Sequence, residues 1–174
     1  MKADRNKVFL ELSGVPILLR TLRRFSAVPA VAELIVVVAK DEVAFVEETL
    51  EKAQGLKPWR VAQGGAERQY SIANGMAHLA ANADVVLVHD AARPLVSLAA
   101  IEAVIAAARE KGAAIAAVRA KNTIKVVGED GRVEATPSRA SLWEVQTPQG
   151  FRREILQRAY EKAAQDGFLG TDDA

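Results

Sequence analysis

The sequence predicts an α/β fold in which a mostly parallel sheet carries a projecting β-hairpin arm. Short apolar runs rich in β-branched residues alternate with helical segments of about 12 residues, which is typical of parallel strands joined by right-handed crossovers. The run 33–39 is almost continuously apolar, as expected of a strand that is covered on both faces. After Arg119 the pattern changes to two alternating segments around Glu129-Asp130-Gly131, which predicts a hairpin with an Asp-Gly turn.

The individual elements follow from spacing and from turn residues. Pro16 stands where a helix can begin, Asp41 and Ser97 are predicted helix caps, and Gly112 ends the helix that Ser97 begins. Gly64-Gly65 separates a short strand from the helix after it. The predicted helices are 17–25, 41–52, 67–79, 98–111 and 152–165, and the predicted strands are 33–39, 59–62, 85–89, 113–118, 123–127, 132–136 and 143–146.

Composition sets the class of protein. A length of 174 residues predicts one domain, 1–174, and 50% hydrophobic with 26% charged residues is the balance of a globular protein. The net charge of +1 argues against a broad nucleic-acid or membrane surface, and the absence of cysteine excludes disulfides and thiolate metal sites. No apolar run approaches the ~20 residues of a membrane span, and residues 1–7 lack the apolar stretch of a signal peptide, so we expect a cytoplasmic protein.

The most informative segment lies at the end of the predicted strand 85–89. Asp90 and Ala91 follow this strand, at the edge of the sheet where α/β folds bind ligands. Asp90 is either the cap of a turn or a ligand of Mg²⁺, which prefers one or two carboxylates together with phosphate oxygens and water. Arg93 precedes a proline and is interpreted as structural support, whereas His89 is expected to pack on the opposite face from Asp90.

A glycine turn opens the third predicted helix. In Gln63-Gly64-Gly65-Ala66-Glu67-Arg68-Gln69-Tyr70-Ser71, small residues leave backbone groups open to close approach, so the turn could read a base edge. A plain strand-to-helix turn has the same composition. The residues alone leave both interpretations open.

These segments together carry a resemblance. With Lys7, Gln63–Arg68, Thr147-Pro148-Gln149 and Thr171-Asp172-Asp173, the chain resembles the methylerythritol-phosphate cytidylyltransferases of the non-mevalonate isoprenoid pathway over essentially its whole length. The resemblance implies a Rossmann-like nucleotidyltransferase sheet and an enzyme that transfers CMP from CTP to 2-C-methyl-D-erythritol 4-phosphate, releasing pyrophosphate. It also implies Mg²⁺ as cofactor and a homodimer whose hairpin arms, about residues 120–140, cross between the subunits.

The resemblance further implies roles for particular residues. Position 66 is often acidic in the family and is alanine here, so only a backbone contact with the base is expected from it. The implied roles are catalysis by Lys7 and Arg139; nucleotide binding by Gly65, Ala66, Ser71, Asp90 and Ala91; acceptor binding by Asp90, Thr123 and Arg139; and metal binding by Asp90.

The chain departs from the family pattern at both ends. The family's glycine-rich loop with its arginine has no counterpart before Lys7, since Arg5 lies too close, and its C-terminal strand and helix have no counterpart after Ala174. We therefore expect that the sequence omits residues, and an omission after Lys2 would separate the Cα atoms of Lys2 and Ala3 by more than ~3.8 Å. Loss of the first, central strand would expose two sheet edges and open a cavity.

Two alternatives to the leading function remain open on sequence alone. One keeps the chemistry and changes the acceptor to another polyol phosphate, such as a pentitol phosphate. The other is a non-catalytic scaffold that keeps the fold and the dimer but binds triphosphate weakly, because a fold by itself does not establish an activity.

Overall fold

The computed structural model describes residues 6–170 and 172–173, so the predictions about Lys2, Ala3 and Arg5 lie outside the described residues. The helices are α1 (Ile17–Ser26), α2 (Val43–Glu51), α3 (Arg68–Met76), α4 (Leu98–Lys111) and α5 (Arg153–Asp166). The strands are β1 (Glu11–Leu12), β2 (Val15–Pro16), β3 (Leu34–Val38), β4 (Trp59–Gln63), β5 (Val85–Val88), β6 (Ala113–Arg119), β7 (Val126–Val127), β8 (Val133–Ala135) and β9 (Trp143–Arg152). The described residues also form three short 3₁₀ turns, at Lys7–Phe9, Lys40–Glu42 and Arg139–Ser141.

The predicted α/β class is confirmed, and the sheets are mixed. β3 and β4 pair in parallel, while β9 lies between β5 and β6 and runs antiparallel to both. β9 is longer than the predicted strand 143–146, because residues 149–152 of β9 pair with the whole of β5. Two small antiparallel hairpins, β1–β2 and β7–β8, stand apart from these sheets.

One of the two predicted helix caps is correct and the other is wrong. The Ser97 hydroxyl accepts the backbone N–H of Ala100 at 3.1 Å, and Gly112, at φ +97°, ends α4 as expected. Asp41 does not cap α2, because a 3₁₀ turn at Lys40–Glu42 places the start of the helix two residues later. The carboxylate that reaches back is instead that of Glu42, which accepts the N–H of Ala39 at 3.3 Å.

The core consists of three apolar clusters that join the helices to the sheets. α1 and α4 pack on β3 through Phe25, Leu34 and Ile101, and α5 packs on β5 and β9 through Leu156, Val86 and Phe151. A third cluster holds α1, α2 and β3 together. Among the described residues no helix is long and apolar enough to cross a membrane.

The predicted hairpin is present but has shorter strands than expected. β7 and β8 pair around a turn in which Gly128 donates its N–H to the carbonyl of Arg132 at 2.9 Å and Gly131 adopts φ +79°. We call residues 120–140 the hairpin arm. Its valines are exposed, with Val127 at 51% and Val133 at 58% of full exposure. The arm therefore presents apolar surface that the described part of this chain does not cover.

Candidate active site

A large cavity lies between the two main sheets. Its volume is about 1270 Å³, and the facing edges of β3 and β5 line its two sides. Within the described part of the chain, no strand pairs with either of these edges. Residues at the ends of β4 and β5 and at the start of α3 line the same cavity, so the carboxyl edges of these strands meet at its mouth.

Asp90 is the central charged group of this mouth. Arg68 donates from Nη1 to Asp90 Oδ1 at 3.2 Å, and Arg93 donates from Nε to Oδ2 at 2.8 Å. Partial burial acts to raise the pKa of this carboxyl, but the Arg93 hydrogen bond and the charges of both arginines outweigh it, so the pKa lies below its ordinary value. Asp90 is therefore held as a carboxylate anion, and the predicted supporting role of Arg93 takes the form of an ion pair with it.

Backbone contacts fix the loop that carries Asp90. The Asp90 N–H donates to the Thr147 hydroxyl at 3.2 Å, and the buried Thr21 hydroxyl donates to the Ala91 carbonyl at 2.7 Å. His89 packs as predicted, with its ring 4.7 Å from that of Phe25. Burial lowers the pKa of His89, which keeps the packed imidazole neutral. Strand β9 and helix α1 thus set the position of the loop from two sides.

The glycine turn is tightly closed on itself. Gly65 donates its N–H to the Ser71 hydroxyl at 3.0 Å, and that hydroxyl lies 3.0 Å from the Glu67 carbonyl, to which it can donate. A Cβ at Gly65 would lie 2.5 Å from the Cβ of Tyr70, so only glycine fits at this position. The N–H groups of Gly64 and Gly65 are thus engaged within the protein, since Gly64 donates to the Val38 carbonyl at 2.7 Å, so these two amides are not what the turn offers to a ligand.

The structure brings together some of the predicted site residues and not others. Lys7, on the first 3₁₀ turn, lines the cavity together with Gly65, Ser71, Asp90 and Ala91. Ala66 is exposed beside the glycine turn and does not line the cavity. Thus five predicted residues from three separate segments line one cavity.

Thr123 and Arg139 lie in the hairpin arm, outside the cavity lining. Arg139 donates from Nη1 to the Lys121 carbonyl at 2.9 Å, and Arg119 donates to the Ala140 carbonyl at 3.1 Å. The Arg119 guanidinium also lies 4.7 Å from the centre of the Trp143 ring. Two exposed arginines thus hydrogen-bond to the backbone at the base of the arm.

Sequence reasoning missed a polar group behind the mouth, built from Arg68, Gln149, Tyr160 and Asp173. Arg68 donates from Nη2 to Asp173 Oδ2 at 2.8 Å, and the Tyr160 hydroxyl donates to Asp173 Oδ1 at 2.7 Å. Burial and the hydrogen bond to Asp173 raise the pKa of Tyr160 well above its ordinary value. Arg68, Gln149 and Asp173 all belong to segments on which the family resemblance rests, which was the only signal available for them.

The chemistry of the mouth suits a divalent cation that arrives with its own ligands. No group of three or more potential metal-ligating side chains occurs among residues 6–170 and 172–173. Mg²⁺, however, commonly takes only one or two protein carboxylates and fills its shell with phosphate oxygens and water. Asp90, half-buried and ionised at the cavity mouth, is a donor of this kind.

The sequence and the fold both match one family. Residues 1–174 match the family model described as 2-C-methyl-D-erythritol 4-phosphate cytidylyltransferase. The chain belongs to this family. A relative of that name from Caldanaerobacter subterraneus subsp. tengcongensis is 41% identical, with 100% of this chain and 77% of the relative covered. Another, from Bacillus pumilus, is 45% identical over 100% of this chain and 75% of its own length.

Solved structures agree with this assignment. The 4-diphosphocytidyl-2C-methyl-D-erythritol synthase of Anaerococcus prevotii superposes with a TM-score of 0.89 at 32% identity, covering 95% of this chain and 75% of that one. The 2-C-methyl-D-erythritol 4-phosphate cytidylyltransferase of Thermus thermophilus gives a TM-score of 0.77 at 32% identity, covering 96% and 75%. The nucleotidyltransferase type of α/β fold predicted from the sequence is therefore confirmed.

Proposed function

We propose that this protein transfers CMP from CTP to 2-C-methyl-D-erythritol 4-phosphate and releases pyrophosphate, a step in the synthesis of isoprenoid precursors. The observation that carries the proposal is the convergence of Lys7, the glycine turn and Asp90 on one cavity, in a chain that belongs to the cytidylyltransferase family. A phosphate oxygen of the acceptor attacks the α-phosphorus of CTP, a new P–O bond forms, and the bond to the β-phosphate oxygen breaks as pyrophosphate leaves.

Charge at the mouth supports this reaction. The Lys7 ammonium and the Arg68 guanidinium line the cavity, where each can offset negative charge on a triphosphate and on the departing pyrophosphate. Lys7 is the proposed catalytic cation. No covalent intermediate with the protein is required, because holding the two phosphates in line supplies most of the rate enhancement.

Asp90 would hold Mg²⁺ at this site. The ion, when bound, neutralises charge on the phosphate oxygens of the nucleotide. In the structure each carboxylate oxygen of Asp90 accepts one arginine hydrogen bond, and each keeps a further lone pair with which it can coordinate a metal. Ala91, whose carbonyl is fixed by Thr21, and the glycine turn with Ala66 are proposed to contact the nucleotide.

We further propose that the acceptor is held by an arm from a second copy of the chain. Arg139 and Thr123 lie outside this chain's own cavity, and the arm exposes Val127 and Val133. A planar guanidinium suits a phosphate because it can donate two parallel hydrogen bonds. A homodimer formed through the arm would cover the exposed valines. The cytoplasmic location expected from the sequence stays a prediction.

The test measures pyrophosphate release by the purified protein with CTP, Mg²⁺ and 2-C-methyl-D-erythritol 4-phosphate. Release that requires both substrates and Mg²⁺ is expected. Lys7→Ala should lower kcat by about 10²- to 10³-fold, because it removes a cation from the developing charge. The matched control is Lys162→Ala on α5, whose ammonium pairs with exposed Asp166 away from the cavity and whose loss should leave kcat unchanged.

Two arms of the same assay address the alternatives. Turnover with a pentitol phosphate at a higher kcat/KM than with methylerythritol phosphate would reassign the acceptor and keep the chemistry. Release that persists without any acceptor, or full activity in Lys7→Ala, would contradict the proposed mechanism. Failure to bind CTP would favour the non-catalytic scaffold.

A further inference from the structure

Arg68 lies between two carboxylates that come from distant parts of the chain. Its Nη1 donates to Asp90 Oδ1 at 3.2 Å and its Nη2 donates to Asp173 Oδ2 at 2.8 Å, so one guanidinium spans both. The Arg68 side chain is 42% exposed and lines the cavity, whereas the Asp173 side chain is only 2% exposed. Asp90, which also lines the cavity, is therefore the partner on the cavity side of Arg68, and Asp173 is the buried partner.

Asp173 is the fixed end of this arrangement. Its second oxygen, Oδ1, accepts the Tyr160 hydroxyl at 2.7 Å, and its own N–H donates to the buried Gln149 side chain at 3.3 Å. Both carboxylate oxygens therefore have donors, and helix α5 and strand β9 each supply one contact. Because the Asp173 carboxylate is already fixed, little further conformational entropy is lost when it orients the guanidinium of Arg68.

A second pair of hydrogen bonds joins the same two segments. The Gln69 side chain donates from Nε2 to the Phe168 carbonyl at 3.1 Å and accepts the Gly170 N–H at its Oε1 at 3.0 Å. The first turn of α3 is thereby tied to Phe168, Gly170 and Asp173 by two neighbouring side chains. The start of α3, which carries Arg68, cannot move away from the cavity without breaking these contacts.

Charge balance gives this tie a consequence for an anionic ligand. Asp90 and Asp173 alone would present two negative charges near an incoming triphosphate, whereas Arg68, shared between them, and Arg93, paired with Asp90, bring the formal charge of the four groups to zero and keep cations beside the cavity. If a ligand or cation engages Asp90, Arg68 keeps its second partner. A guanidinium held only by Asp90 would instead be free to turn into solvent.

We propose that Arg68 is a further phosphate-binding residue of the active site and that Asp173 and Tyr160 are positioning residues that hold it at the cavity. The inference rests on the proposed use of CTP. It assigns the segment after α5 a part in nucleotide binding that neither the glycine turn nor Asp90 accounts for.

The experiment compares kcat, KM for CTP and melting temperature across matched variants. Arg68→Gln should raise KM for CTP by about 10- to 100-fold, because it removes a charged hydrogen bond to phosphate. Asp173→Asn should raise it about 10-fold and Tyr160→Phe by a few-fold, since each weakens the hold on Arg68. Arg68→Lys should lie between wild type and Arg68→Gln, because it keeps the charge and loses the fork.

The deciding variant is the double change Arg68→Gln with Asp173→Asn. If Asp173 acts only through Arg68, KM for CTP in the double variant should equal that of Arg68→Gln alone. A merely structural Asp173 would multiply the effect on KM instead, which would overturn the inference, whereas a lower melting temperature is expected in either case because Asp173 is the buried partner of an ion pair. Asp166→Asn is the control, because this exposed aspartate of α5 pairs with Lys162 and should alter neither quantity.

Calorimetric binding of CTP to the same variants separates this inference from the proposed function. If the wild-type protein binds CTP but transfers nothing to methylerythritol phosphate, the proposed acceptor is wrong, and weaker binding by Asp173→Asn would still support the positioning role. Equal affinity for CTP in wild type, Asp173→Asn and Tyr160→Phe would overturn the inference even if turnover is normal. Wild-type protein that binds no CTP would overturn both.

Discussion

The charged side chains at the cavity mouth are paired by contacts between distant parts of the chain, whereas the apolar side chains of the hairpin arm are exposed. At the mouth, Asp90, Arg68 and Asp173 find their partners within one chain, across separations of 22 and 105 residues. In the arm, the contacts are local, and Ile124, Val126, Val127 and Val133 remain exposed. One chain therefore builds the proposed nucleotide side of the candidate site, whereas the proposed acceptor-binding residues Thr123 and Arg139 lie on the arm, outside the lining of this chain's cavity.

The largest effect is expected in a complementation test, which asks whether the arm of one copy serves the site of another. Lys7→Ala and Arg139→Ala should each lower activity more than 10-fold. If the arm serves a second copy, a refolded equal mixture should recover about one quarter of wild-type activity, because half the dimers are mixed and each has one intact site. No recovery from a mixture that exchanges subunits would show that Arg139 acts within its own chain, or not at all.

A smaller effect is expected from adding one methyl group to a glycine in each region. Gly65→Ala should destabilise the protein by about 1–3 kcal/mol, because its Cβ would meet the Cβ of Tyr70 at 2.5 Å and the backbone must shift. Gly128→Ala in the arm is the matched control. Its Cβ would meet the end of the flexible Glu134 side chain, at 2.6 Å from Oε1, which can move aside. Denaturant unfolding should therefore separate the two, and equal losses would contradict the distinction.

The smallest expected effect is a change in acid sensitivity at the mouth. The pKa of Asp90 in the folded protein lies below its ordinary value, so its ion pairs stabilise the fold at pH above about 4 and lose this contribution as pH falls through the folded pKa. Since the group is partly exposed, we expect less than about 1 kcal/mol. Asp90→Asn should flatten the loss of stability between about pH 5 and pH 2, measured without metal or nucleotide. An unchanged slope would mean that the arginines do not stabilise the anion.

Local patterns predicted the elements well, because they depend on neighbouring residues. The β-branched run that became β3, the Ser97 cap and the Asp-Gly turn each reflect interactions within a few positions. Asp41 shows the limit of such reasoning: a 3₁₀ turn competes with an early helix start, and a local pattern does not distinguish them. For the same reason the predicted strand 143–146 is shorter than β9. The buried C-terminal half of β9 contains Pro148 and Gly150 and lacks a strand-like pattern.

The candidate site was predictable where one segment supplies the group and unpredictable where two must meet. Asp90 followed from its place at the end of a strand, and Lys7 followed from the family resemblance. The contact between Arg68 and Asp173 depends on how α3 packs against the segment that follows α5, which no spacing within either segment encodes. Likewise, nothing in the sequence around Gln149 indicated that its long polar side chain would be buried and would accept a backbone N–H.

The division between the two main sheets has a consequence for the behaviour of the mouth in salt. Paired strands are joined by backbone hydrogen bonds, but across the mouth the glycine-turn side and the Asp90 side meet through the guanidinium of Arg68. The Debye length falls from about 8 Å at 0.15 M to about 3 Å at 1 M, and exposed pairs are screened far more than buried ones. Rising ionic strength should therefore weaken the exposed ion pair between Arg68 and Asp90, while the pair between Arg68 and the buried Asp173 is retained. The contact across the mouth would then be lost before the contact behind it.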